Sequence, residues 1–292
     1  MRLRSVRGVW RAAAALSVVV LSVGWLAGCA AGRAASNPGG TSRSTLGPGE
    51  TALRVLQLNL CDSGRADCYS GGRAVSMAAT LIGHDRPEMV SVNEVCRGDV
   101  GVLERAMAAS FHGAAVASAF RAARDRATHA AVRCQNGQEF GDGVLAVLPS
   151  GSHRFRTSGG VHRTQDPNDV EERVWACVEL ATRFSACTSH LASTDTTIAL
   201  AQCRYLLSSV VPVLPRHVDG EPIIVAGDFN LAAGGSPNPQ VCVPPGYQRA
   251  DDGALQDIVA SPGVEIRSRS LIDMRGTTDH PGLLVELVLP RG

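Results

Sequence analysis

Short apolar runs rich in Val, Ile and Leu alternate along the chain with longer stretches whose apolar residues recur every three or four positions. The first kind predicts strands: "ALRVLQLNL" (52–60), "EMVSVNEV" (88–95), "DGVLAVL" (142–148), "RVWACVEL" (173–180), "RFSACTSHL" (183–191), "EPIIVAG" (221–227), "ALQDIVASPG" (254–263), "EIRSRSLIDM" (265–274) and "GLLVELVL" (282–289). The second kind predicts helices over 71–84, 99–111 and 193–211. In the last of these, Ser193 to Asp195 offer caps, and Leu200, Cys203, Leu206, Leu207 and Val210 share a face. The alternation predicts an α/β protein: two sheets packed face to face, with helices outside. No internal repeat is visible.

The first residues do not fit that scheme. Arg2, Arg4, Arg7 and Arg11 precede the apolar run "AAAALSVVVLSVGW", and "LAGC" follows at Leu26 to Cys29. This is the layout of a secretory signal over residues 1–28, too short to favour a permanent membrane span. "LAGC" resembles the bacterial lipobox, which implies lipidation of Cys29. An ordinary cleaved signal followed by an unrelated cysteine is the alternative. Residues 29–50, rich in Gly, Ser, Ala and Pro after Cys29, read as a flexible tether, and 51–292 as the globular domain. This predicts an exported chain, either a membrane lipoprotein facing outward or a secreted protein, monomeric and without a protein partner.

Composition narrows the picture further. With 292 residues, 45% hydrophobic and 19% charged, the body has ample material for a core and is not disordered. All 28 basic residues are arginine. Four of these lie in the signal, so the remainder carries a slight negative excess, which argues against a broad polyanion-binding surface. Beyond Cys29 there are Cys61, Cys68, Cys96, Cys134, Cys177, Cys187, Cys203 and Cys242, an even number that suits disulfides in an exported chain. A hairpin turning at Ala181 to Arg183 sets Leu180 opposite Phe184 and Cys177 opposite Cys187. Cys61 and Cys68 are near enough to staple one loop. Cys96 with Cys134 and Cys203 with Cys242 would be the remaining pairs, one of the many connectivities that eight cysteines allow. A zinc site is the weaker reading, since no two cysteines show CxxC spacing.

Several apolar runs end in a polar residue that a buried strand does not need: Asn59, Glu94, His190, then Asp228 and Asn230 in "AGDFN". Asp279 and His280 stand just before the last strand. Singly, each reads as a turn former or a satisfied edge residue. As a set they are hard oxygen ligands and imidazoles at strand ends that can converge on one pocket.

"LQLN", "SVNEV", "GDGVLAVL", "TSHL", "AGDFN", "QDIVASPG" and "TTDHPGLLVEL" resemble, in order and spacing, the motifs of the endonuclease/exonuclease/phosphatase family, across roughly Leu53 to Leu289. That resemblance implies a four-layer α/β sandwich of two mostly antiparallel sheets and a Mg²⁺-dependent hydrolase, with Mn²⁺ or Ca²⁺ as alternatives. It implies Glu94 as principal metal ligand, with Asn59 and Asp279 supporting the metal. Asp228 would activate or position water, Asn230 would orient it, and His190 would donate to a phosphate oxygen. His280 would contact the scissile phosphate, with Asp257 fixing its tautomer. Asp273 is a weaker candidate for that partner. Three departures stand out: Asn93 for the usual Gln before Glu94, Asp142 where an amide is common, and Thr278 for Ser. Asp142 is the change expected to alter a phosphate contact.

Phosphodiester hydrolysis needs an aligned nucleophile and relief of phosphoryl charge, which this residue set can supply. The expected substrate is a nucleic acid or a phospholipid head group. A nuclease is the leading form, a sphingomyelinase- or phospholipase-type enzyme the second, and a non-catalytic binding module the third. Trp175 is the one tryptophan beyond the signal and sits mid-strand, expected buried, which disfavours both membrane dipping and base stacking. Arg97, Arg121, Arg124 and Arg126 read first as a solvated face and second as a groove wall.

Overall fold

The first strand, β1 (Thr51–Asn59), is followed by α1 (Arg73–Asp85) and returns as β2 (Met89–Cys96), which lies parallel to β1. The same unit recurs late in the chain, where β9 (Phe184–His190), α3 (Thr196–Tyr205) and β10 (Ile223–Asp228) place two more strands in parallel. A parallel pair requires a crossover, and a helix is the economical one. The computed structural model describes residues 46, 49–180, 183–214 and 221–290, all within the unit Thr45–Gly292. The signal reading, most of the tether and Cys29 lie outside the described residues.

The other elements are α2 (Arg97–Ser110), β3 (Val116–Ala122), β4 (Arg124–Asp125), β5 (Phe140–Val147), β6 (Phe155–Val161), β7 (Glu171–Glu172), β8 (Val174–Leu180), β11 (Gln248–Asp251), β12 (Gln256–Ala260), β13 (Glu265–Ile272) and β14 (Gly282–Leu289). Two six-stranded sheets form, in the orders β13-β14-β1-β2-β5-β3 and β11-β12-β10-β9-β8-β6, with β4 and β7 as a small third sheet. Every neighbouring pair in the large sheets other than β1–β2 and β9–β10 is antiparallel.

Three apolar layers hold these sheets. Leu53, Val55, Val178, Phe184, Ile224, Ile258 and Val285 lie between the sheets. Leu56, Leu58, Val90 and Val92 face Ala78, Ile82 and Leu103 of α1 and α2. Val225 and Val259 face Cys203, Leu206 and Leu207 on the far side. The result is the helix–sheet–sheet–helix sandwich expected from the family resemblance. Strands with helices on one side and a sheet on the other are covered on both faces, which is why β9, β10 and β12 are buried at every position and β1 along its C-terminal half.

The helix predicted over 193–211 is α-helical only to Tyr205, then passes through a π turn (Leu206–Val210) and a 3₁₀ turn (Val211–Val213). Asp195 caps it, accepting from the N–H groups of Thr197 and Ile198. Leu200 is only half-buried, while Cys203, Leu206, Leu207 and Val210 are buried. Trp175, expected buried, is half-buried and packs over Gly160 at the sheet margin. Disulfides join Cys61–Cys68, Cys96–Cys134, Cys177–Cys187 and Cys203–Cys242. Cys177 and Cys187 face each other across β8 and β9, with Leu180 opposite Phe184.

Candidate active site

Parallel pairing brings like ends of strands together, and it builds the site. In β1 and β2, Asn59 stands beside Asn93, with Glu94 one residue further. In β9 and β10, His190 stands beside Asp228. The two pairs meet across the sandwich: the Asn59 amide Nδ2 donates to Glu94 Oε1 at 2.9 Å and to Asp228 Oδ2 at 3.0 Å. His280, from the loop before β14, brings Nε2 to 3.6 Å from Asp228 Oδ2.

Local backbone aims these side chains. The β2–β5 register slips between Val92 and Val95, and Glu94 at that bulge has φ 57°. A bulge re-aims a side chain, and a left-handed non-glycine residue is costly enough to need support from its surroundings. Asn230 is also left-handed, at φ 50°, and its N–H donates to Asp228 Oδ1 at 3.1 Å. Gly227 is required by β9: a Cβ there would lie 2.1 Å from the Ser189 carbonyl oxygen. That close approach lets "GDFN" seat Asp228 beside His190.

Glu94, His190, Asp228, Asn230 and His280 line a pocket of ≈ 240 Å³ with Phe140, Glu171, Arg173 and Ser193. Sequence reading passed over Glu171 and Arg173. Buried Arg173 donates through Nη1 to His190 Nδ1 at 3.0 Å, through Nη2 to Asp169 Oδ2 at 2.8 Å and to Ser193 Oγ at 3.2 Å, and pairs with Glu171 at 3.2 Å. The signal was present in "EERVWACVEL", where an arginine between acids opens an otherwise apolar strand.

The Arg173 contact fixes the state of His190. A nitrogen that accepts from a guanidinium cannot carry a proton, so Nδ1 is bare and Nε2 holds the hydrogen. Burial, then the charges of Arg173 and His280, hold the His190 imidazole well below its ordinary range. Burial also raises Asp228, opposed by His280, Asn59 and Asn230, and raises Glu171 against the pull of Arg173.

Beneath the pocket runs a polar network between the sheets. Gln57 donates to Asn93 Oδ1 at 2.8 Å, Asn93 donates to Asp142 Oδ1 at 2.9 Å, and the His190 N–H donates to Asp142 Oδ2 at 3.3 Å. Burial raises Asp142 to about 7. Asp142 is thus a support under His190 and does not line the pocket.

The expected Asp257–His280 pair does not form. Asp257 forms an ion pair and a hydrogen bond with Arg249, while its neighbour Gln256 turns to the opposite face of β12. Buried Gln256 accepts from the Asn59 N–H at 3.1 Å and donates to the Pro281 carbonyl, tying the His280 loop to the end of β1. The Thr278 hydroxyl adds a bond to the Asn59 carbonyl at 2.9 Å. Asp273 caps its own turn, accepting from the Arg275 N–H. Asp279 is 57% exposed at its side chain, stands 3.8 Å from His280 and does not line the pocket. Asn230 lines it, with Nδ2 donating to the Leu191 carbonyl at 2.9 Å.

The residues suit an oxygen-preferring divalent cation. Glu94, Asp228 and Glu171 surround one small pocket, and two of the three are raised by burial, a cost that a cation would relieve. Asn59 fits a different role from the ligand expected of it. Its Oδ1 accepts from the Cys61 N–H, so its amide nitrogen orients the two carboxylates. Among the described residues the groups whose ligand atoms all lie within 4.8 Å of one another are not this set but Cys61, Cys68 and Asp279, and Asp62, Cys96 and Asp99. The cysteines in both are disulfide-bonded, so neither offers a thiolate. A cavity of ≈ 480 Å³ beside Arg204, Tyr205 and Val243 contains no comparable set of acids and imidazoles.

No family model matches the sequence, and no curated protein matches it. Solved structures do. An endonuclease/exonuclease/phosphatase family protein from Bacteroides thetaiotaomicron aligns over 82% of this chain and 98% of its own, at 14% identity and TM-score 0.56. An endonuclease/exonuclease/phosphatase from Beutenbergia cavernae aligns over 82% of this chain and 72% of its own, at 17% identity and TM-score 0.58. ANGEL2, a 2′,3′-cyclic phosphatase solved with adenosine-2′,3′-vanadate, aligns over 82% and 96%, at 15% identity and TM-score 0.55. At these identities the likeness is one of architecture. The chain shares its fold with these solved endonuclease/exonuclease/phosphatase structures.

Proposed function

We propose that this protein is a divalent-metal-dependent phosphodiesterase, of nuclease type, using Mg²⁺ or a cation of similar chemistry. The observation that carries the reading is the meeting of two parallel strand pairs, which sets Glu94, His190 and Asp228 with His280 round one pocket. Bound there, the cation supplies charge relief on the phosphoryl oxygens. Glu94 is its principal holder, with Asp228 beside it.

The chain's own residues account for the rest of the reaction. Asp228, raised by burial, takes a proton from the attacking water as the water oxygen bonds to phosphorus. The ester P–O bond opposite breaks, and His280 hands a proton to the departing oxygen. His190 donates through Nε2–H to a phosphoryl oxygen while Arg173 holds it neutral. Asn59 keeps the two carboxylates in register, which in-line attack requires.

Plasmid DNA, bis-p-nitrophenyl phosphate and sphingomyelin, each with Mg²⁺ and with EDTA, test the reading. Mg²⁺-dependent cleavage of the first two supports it. Cleavage of sphingomyelin alone assigns a lipid phosphodiesterase instead, and turnover of none of the three leaves a binding module. The proposal places the domain outside the cell, tethered through Cys29. Four disulfides support that placement, because oxidising compartments preserve them. Intact mass of the exported protein showing an unmodified N-terminus ahead of Cys29 contradicts the anchor.

A further inference from the structure

A groove of ≈ 570 Å³ adjoins the catalytic pocket and shares Glu94, Phe140 and Glu171 with it. Its outer wall carries Arg65 and Arg133. Arg65 sits inside the loop closed by Cys61–Cys68, and Arg133 immediately precedes Cys134, which is bonded to Cys96. The two loops are also joined to each other. The Arg65 Nε donates to the Arg133 carbonyl at 3.0 Å, and the Gln135 N–H donates to the Ser63 carbonyl at 2.8 Å. Both cystines spring from site strands, Cys61 two residues beyond Asn59 and Cys96 two beyond Glu94.

Both arginines are exposed, and neither is in an ion pair among the described residues. The carboxylates of the groove are engaged elsewhere. Glu94 serves the catalytic pocket, Glu171 pairs with Arg173, and Asp125 accepts from the Thr128 N–H and hydroxyl. Arg97, Arg121, Arg124 and Arg126, for which a groove wall was the second reading, line neither cavity; Arg97 and Arg124 pair with Glu139 and Glu172.

Two guanidinium groups held on stapled loops beside a phosphoryl pocket, Arg65 bonded only through Nε and Arg133 only through a 3.4 Å bond from Nη1 to the Gly137 carbonyl, keep Nη donors for a phosphate. Stapling lowers the ordering cost of binding. A choline lipid fits poorly, because its quaternary ammonium would approach two cations, and Phe140, the groove's one aromatic, is buried.

We propose, building on the phosphodiesterase reading, that this groove seats the phosphate next to the scissile one, so that the substrate is a polynucleotide strand.

Short thymidine oligonucleotides test this, with the linkage flanking the cleaved one either natural or a neutral methylphosphonate. Wild type is expected to favour the natural flank by about tenfold or more in kcat/KM, through KM. The double variant Arg65→Ala/Arg133→Ala is expected to lose that preference while hydrolysing bis-p-nitrophenyl phosphate, which has no flanking phosphate, at the wild-type rate. A preference unchanged in the double variant overturns the subsite.

Binding provides an arm independent of turnover. A fluorescein-labelled oligothymidine is titrated in EDTA, followed by anisotropy, with melting temperature as the folding control. Its log–log salt slope is expected to fall by roughly 0.7 for each arginine removed. An identical affinity and slope in wild type and double variant refutes the subsite even if no substrate turns over. Loss of all hydrolysis with the binding difference intact refutes the phosphodiesterase reading alone.

Discussion

Arg173→Met removes a buried cation while keeping an apolar stem of similar length. In the native protein the guanidinium bonds Asp169 through Nε and Nη2 at 3.0 and 2.8 Å, Glu171 at 3.2 Å and His190 at 3.0 Å. The variant leaves the Asp169 and Glu171 carboxylates, whose side chains are 9% and 17% exposed, without their cation. Breaking such a pair from one side costs about 3–5 kcal/mol, a large share of a stability of roughly 5–15 kcal/mol. The loss should appear as a lower denaturation midpoint in guanidinium chloride. Arg173→Lys keeps the charge without the fork and should lose about half as much. The second readout is His190. Long-range proton–nitrogen NMR of the native protein should show a neutral ring with hydrogen on Nε2 at pH 6. In Arg173→Met, with Glu94 3.9 Å from Nδ1 and the guanidinium gone, the ring should take up a proton at higher pH than in wild type. A loss below about 1 kcal/mol for Arg173→Met, or a native His190 with hydrogen on Nδ1, refutes the role assigned to Arg173.

Asp228→Ala and His280→Ala should each lower turnover by about a hundredfold or more with little change in melting temperature; unchanged turnover by either folded variant contradicts its role. Reduction should lower the melting temperature by roughly 10 °C or more, because the cross-links at separations of 38 and 39 residues each constrain the unfolded chain by about 4 kcal/mol. An unmoved melting temperature in fully reduced protein contradicts this. Burial, then Arg173, pushes His162 down to about 3, and its Nε2 lies 2.9 Å from Ser189 Oγ. The folded value lies below the unfolded one, so the stability is present above the ordinary imidazole range and is lost as pH falls toward 3. His162→Gln should therefore lose less stability than wild type between about pH 6.5 and 4, measured by urea denaturation; parallel curves contradict it.

Legibility from the sequence followed the physics of burial. Asn59, Glu94, His190 and Asp228 stood out because an apolar strand has no use for them, and the parallel pairing that gathers them is written in the helical stretches between. The Cys177–Cys187 pairing was legible because a short hairpin fixes register locally. Asp257 was misread because β12 is buried on both faces. Without polar–apolar alternation, nothing in "QDIVA" reveals which residue faces the site, and Gln256 does. β3, "VASAFRA", was passed over because small alanines dilute its apolar signal, and β6, "FRTSGGV", because it is an edge strand with paired glycines. Arg173 escaped because Asp169 and Glu171 beside it read as ordinary loop acids, and its third partner, His190, reaches it only in the folded chain. Arg65 and Arg133 escaped for the same reason, since 68 positions separate two loops that touch.

The central claim is that Glu94 holds a divalent cation in the pocket with Asp228 and His280. The direct measurement is the Mg²⁺ dependence of bis-p-nitrophenyl phosphate hydrolysis by wild type and by Glu94→Gln after EDTA stripping. The account predicts no turnover in stripped wild type, full recovery on adding Mg²⁺, and at least about tenfold more Mg²⁺ for half-maximal rate in the variant. Turnover in stripped wild type, or superimposable Mg²⁺ curves for the two proteins, would contradict it.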